Sequence, residues 1–82
     1  MNTFPINHSY EQTGQEFVAV SRDISTRGIA MLHTEAVTAK WLAIEAVSPQ
    51  NERIRTVIEV LRCRAIGPMF EIAGKFITDL NG

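Results

Sequence analysis

The chain contains a single cysteine, Cys63, so an intrachain disulfide framework is excluded and a reducing compartment fits. It has no surplus of charge of one sign: Lys and Arg number 8, Asp and Glu number 9, and the formal net charge is -1. With a pI near 6.1 there is no overall positive field to gather nucleic acid or anionic lipid, so any such binding has to be local. No apolar run approaches the roughly 18 residues needed to span a bilayer. Met1 to Tyr10 has neither the basic start nor the apolar stretch of a secretory leader. These absences predict a cytoplasmic protein without membrane insertion. No internal repeat, low-complexity tract or linker-like shift divides the 82 residues, which predicts one domain, residues 1–82.

What is present is an ordinary globular composition, 45% hydrophobic and 21% charged, arranged as short extended runs between turn signals. Phe4 to Glu11 puts Phe4, Ile6, His8 and Tyr10 on one face at period two, and Gln12 to Gln15 supplies a turn. A second strand is expected over Glu16 to Arg22, giving way to a tight loop from Asp23 to Gly28, and a third over Gly28 to His33. Gly28 is read there as a residue free to take a backbone angle closed to others. Thr34 to Lys40 is a polar connection with room for one helical turn. Trp41 to Val47 follows as a fourth strand, closed by Ser48 to Glu52. The longest run, Arg53 to Ala65, changes phase: Arg53 and Arg55 fall on odd positions, Arg62 and Arg64 on even ones. A β-bulge near Ile58, Glu59 and Val60 would reconcile them and bend the strand. Ile66 to Pro68 turns the chain into a last strand, Met69 to Ile77. The pattern predicts an all-β fold, a small six-stranded antiparallel barrel, with Phe17, Trp41, Phe70 and Phe76 in its core.

The candidate chemistry is sparse. His8, His33 and Cys63 lack zinc-like spacing, and no nucleophile has an identifiable base and orienting partner, so neither a metal, a cofactor nor catalysis is expected. The arginines of the longest strand admit a nucleic-acid stripe, but Glu52, Glu59 and Glu71 lie close in sequence and favour a solvated face without nucleic acid.

The segment Ser21 to Leu32 contains Asp23, Ser25 and Gly28, the spacing Asp-x-Ser-x-x-Gly between two strands. Later come Val60-Leu61-Arg62 and Ala73-Gly74-Lys75-Phe76. In this order the motifs resemble the PilZ family over about Phe4 to Ile77. The resemblance implies a six-stranded barrel that receives cyclic di-GMP and passes the signal to a protein partner. It assigns ligand contact to Asp23, as an acceptor for a guanine edge, to Ser25, and to Gly28, for close backbone approach. The chain departs from the family by lacking the Arg-x-x-x-Arg motif that messenger-binding members carry before the first strand. Losing two charge-assisted contacts of roughly 1.5 to 3 kcal/mol each weakens binding by about two to four decades. The arginines to meet a phosphate instead would come from Arg22 and Arg27, which flank the loop, from an upstream extension or from a second chain. The bland reading of Asp23 and Ser25 is a turn in which both satisfy local amides. The alternative function is an adaptor that keeps the barrel and docks a protein without nucleotide. Because Thr78 to Gly82 is too short for a covering helix and Ile54, Val57, Ile58, Val60 and Leu61 cannot all face one interior, a homodimer is also expected.

Overall fold

A computed structural model of the chain describes residues 1–77. The expectation for Thr78 to Gly82 lies outside the described residues. The described residues form seven strands: β1 (Asn2–Ile6), β2 (Phe17–Val18), β3 (Val20–Ile24), β4 (Gly28–His33), β5 (Trp41–Val47), β6 (Arg53–Ile66) and β7 (Met69–Ile77). They form one antiparallel sheet in the order β2-β1-β5-β6-β7-β4-β3. No helix among the described residues is long and apolar enough to cross a membrane. The segment 34–40 contains no helical turn.

The all-β reading holds, whereas the six-stranded barrel does not: among the described residues the sheet has seven strands and no ladder closes it. The reason lies at Ala19. The run expected to be one strand breaks there, so that Phe17 and Val18 pair with Thr3 and Asn2 while Val20 to Ile24 pairs with β4. Ala19 is fully buried, its N–H donates to the Met1 carbonyl at 3.0 Å, and the N-terminal ammonium donates to the Ala19 carbonyl at 2.9 Å. One stretch of chain thus supplies both outermost strands, and the sheet rolls far enough for its edges to meet at a single residue.

The first strand is also shorter than expected, ending at Ile6 instead of Glu11. Asn7 is the cause. Its Oδ1 accepts the N–H groups of Ser9 at 2.9 Å and Glu11 at 3.0 Å, and Tyr10 takes a left-handed φ of 62°. Asn side chains compete for backbone amides in this way and turn the chain. The strands Gly28–His33, Trp41–Val47 and Met69–Ile77 run as the alternation predicts. Between β6 and β7, Gly67 has φ of 56° in the two-residue loop closed by the Ile66–Met69 pair, a left-handed position that short hairpins require.

The inner face carries an aliphatic core in which Ala19, Met31, Leu42, Ile58 and Ile72 are fully buried, with Ile29 and Ile44 beside them. Of the aromatic residues expected in the core, Phe17 and Phe76 are half-buried and pack against this cluster, and Phe70 and Trp41 are half-buried outside it. Trp41 instead joins a second cluster with Phe4, Ile6, Ala43 and Val57, and Lys40 lies 4.8 Å from the Trp41 ring centroid. The bulge in β6 sits between Val60 and Arg62, slightly later than expected, and leaves Leu61 unpaired and 63% exposed. It performs the expected phase change: Ile58 before it points inward, and Arg62 and Arg64 after it point outward over β7.

Candidate functional site

The outer face of β7 supplies Glu71, Ala73 and Lys75 by simple alternation against the buried Ile72. Glu71 lies opposite Leu32 of β4 and Arg64 of β6. Its side chain is only 5% exposed because three guanidinium groups cover it. Arg22 Nη1 donates to Oε2 at 3.0 Å, Arg64 Nε donates to Oε1 at 3.0 Å, and Arg62 Nη2 stands 3.6 Å from Oε1. Arg22 reaches this position because β3 carries its own register shift between Ser21 and Asp23. Three guanidinium groups on one carboxylate leave a formal local charge of +2, in a chain whose net charge is -1. The buried carboxylate holds the arginines in place, and about half of each side chain remains exposed to meet an anion.

One row of pairs toward the β3–β4 turn runs Asp23, Ala30, Ala73, Arg62 across β3, β4, β7 and β6. The two central residues are alanines, so this strip of the face has no side chain beyond Cβ. Three strand spacings, about 14 Å, separate the Asp23 and Arg62 backbones, and the two alanines occupy the middle of that span. It is bounded by arginines on one side and by the exposed Asp23 carboxylate on the other, which makes no hydrogen bond or ion pair among the described residues. The patch therefore combines donors for phosphate oxygens, a floor of two alanines and an acceptor without a partner among the described residues.

The five residues read from the sequence separate in space. Asp23 is a strand residue paired with Ala30, not part of the loop. Arg22 belongs to the Glu71 cluster. Ser25 lies in the turn, where its Oγ accepts the N–H groups of Arg27 at 3.2 Å and Gly28 at 3.3 Å while its own N–H donates to the Gly28 carbonyl at 2.9 Å. Gly28 has no left-handed φ; a Cβ there would overlap the Gly74 carbonyl oxygen and lie 3.2 Å from the Lys75 Cα, so the glycine serves the close approach of β4 to β7. The Arg27 side chain is exposed and unpaired among the described residues. It adjoins Gly28, which lies four residues, about 13 Å of strand, from Leu32 beside Glu71.

Arg62, Arg64 and Glu71 were not singled out as site residues from the sequence. The available signal was the phase flip in β6, which sends Arg62 and Arg64 to the face that alternation assigns to Glu71. On this sheet face Arg55 pairs with Glu45 at 3.7 Å and Lys75 with Glu59 at 3.5 Å, so acidic side chains interrupt the positive charge that a nucleic-acid stripe needs. No three His, Cys, Asp or Glu side chains come together as metal ligands among the described residues. Comparison with protein-family models, curated proteins and solved structures finds no match to this chain.

Proposed function

We propose that this protein is a PilZ-like bacterial signalling module of the cytoplasm that binds cyclic di-GMP on the outer face of its sheet. One observation carries this reading: Arg22, Arg62 and Arg64 gather on buried Glu71 beside an alanine floor that ends at the free carboxylate of Asp23. A cyclic dinucleotide presents phosphodiester oxygens and guanine edges. The first suit guanidinium donors, and a guanine's N–H pair suits a carboxylate acceptor. In this arrangement the cluster supplies the guanidinium contacts that the Arg-x-x-x-Arg pair makes in messenger-binding members, while Ser25 holds the turn and Gly28 lets β4 approach β7, neither touching ligand.

Titration calorimetry with cyclic di-GMP tests the proposal. Asp23→Ala is expected to weaken binding about tenfold with an unchanged melting temperature, since the carboxylate has no partner among the described residues. Arg64→Ala should weaken it at least as much, and Arg27→Ala hardly at all. No heat from a folded sample at millimolar nucleotide would refute the reading.

A second reading, a PilZ-like adaptor that docks a protein without nucleotide, is favoured by the internal duties of Ser25 and Gly28, which explain two of the three motif residues without a ligand. It predicts recovery of the same partner with and without cyclic di-GMP. The homodimer expectation belongs with this reading, and Leu61 is the residue that probes it. Val57 packs into the Phe4 cluster, so its substitution reports on folding. Leu61→Arg should convert a dimer to a folded monomer in sedimentation at high protein concentration; a wild-type protein sedimenting only at 9.2 kDa would end that idea.

A further inference from the structure

A groove of about 430 Å³ runs between the segment before β2 and the connection from β4 to β5, and no arginine lines it. Pro5 and Leu42 contribute to its lining, together with Phe17 and His33, whose rings stack with centroids 4.2 Å apart. Residues 34–39 form one wall. Val37 and Ala39 pack against the core while Ala36 and Thr38 are exposed, the in-and-out alternation of an extended chain.

After bends at Thr34 and Glu35, the wall from Ala36 to Ala39 offers an unpaired extended edge. The Val37 N–H donates to the Cys63 sulfur at 3.5 Å, whereas Thr34, Glu35, Ala36, Thr38 and Ala39 make no hydrogen bond among the described residues. Successive N–H groups of an extended chain point to opposite edges, so the Val37 bond aims those of Ala36 and Thr38 the other way. Backbone groups of this kind accept an added strand. The charge of the lining narrows the occupant. It includes Glu16 and Glu35, both exposed and neither in an ion pair among the described residues, and no Lys or Arg; His33 Nδ1 is 3.1 Å from the Val18 carbonyl.

We propose that the groove binds an extended basic segment of a partner protein, its backbone pairing along residues 36–39 and its Lys or Arg side chains meeting Glu16 and Glu35. No nucleotide takes part, so this site stands or falls apart from the cyclic di-GMP proposal.

The experiment is an amide-resolved NMR titration of the full chain with a capped heptapeptide of alternating Val and Lys. Shifts are expected at residues 15–17 and 34–39. The double variant Glu16→Lys, Glu35→Lys should bind about tenfold more weakly, by the conversion of two attractive exposed pairs to repulsive ones. Thr38→Pro removes an N–H that the fold does not use and should weaken binding with the spectrum of the free protein otherwise preserved. Three results would overturn the proposal: no shifts at millimolar peptide, shifts located along β3 instead, or equal binding of a Val and Glu heptapeptide. Spermidine reproducing the same shifts would overturn it as well, since charge without strand pairing would then suffice.

Discussion

Gly28→Ala is expected to lower the melting temperature by about 10 °C or more, the largest effect of any single methyl group added to this chain. The new Cβ meets backbone on β7, the Gly74 carbonyl oxygen and the Lys75 Cα, and neither can step aside by changing a rotamer. Strands β4 and β7 must separate, and their ladder from Gly28–Lys75 to His33–Phe70 weakens from that end. The comparison variant is Gly74→Ala, whose Cβ meets the Ile58 Cδ1 at 2.7 Å and the Glu59 carbonyl at 2.9 Å, one of them a movable side-chain end. A smaller loss is expected there. The measurement bears on function because Gly28 is a motif residue. If its duty is strand packing, any nucleotide affinity lost in Gly28→Ala returns when binding is measured well below the variant's melting temperature. Loss of affinity in a fully folded variant with an unchanged melting temperature would instead place Gly28 at the ligand.

Glu71→Gln is expected to cost about 2 kcal/mol of stability, a value kept below that of a fully buried ion pair because the three arginines are about half exposed and water screens them. For a domain of this size that corresponds to a fall of about 8 to 16 °C in melting temperature. The amide retains the shape of the carboxylate but removes the charge that offsets three adjacent cations. A double-mutant cycle with Arg64→Ala isolates the interaction: the arginine substitution should cost less in the Glu71→Gln background than in the parent. Additive costs in the cycle would mean that the two side chains touch without energetic coupling. Because Glu71 also positions the arginines, the same variant should alter cyclic di-GMP affinity, whereas it should leave the heptapeptide site unaffected.

Alternation and turn residues carried much of the fold in plain view. Gly28–His33, Trp41–Val47 and Met69–Ile77 each combine period-two patterning with a glycine, proline or polar cluster at their ends, and each strand forms where that pattern places it. The phase change of the arginines in β6 foretold a bulge, although the unpaired residue is Leu61, beyond the predicted Ile58 to Val60. The turn at Asn7 was written in the sequence as well, but His8 and Tyr10 continued the alternation of Phe4 and Ile6 and masked a side chain that captures two backbone amides.

The sequence by itself determined the all-β class, the strands with strong local alternation, the need for a phase change in β6 and the Asp23 to Gly28 motif, because these depend on neighbours a few residues apart. Only the tertiary structure decided that the strand around Ala19 divides between β1 and β4, that Gly28 is required by Gly74, and that Glu71 is buried beneath Arg22, 49 positions away, together with Arg62 and Arg64. The physical reason is the same in each case. Which face a side chain takes follows from the two-residue period of its own strand, whereas which side chains meet on that face follows from strand order and register, which long-range pairing sets across the whole sheet.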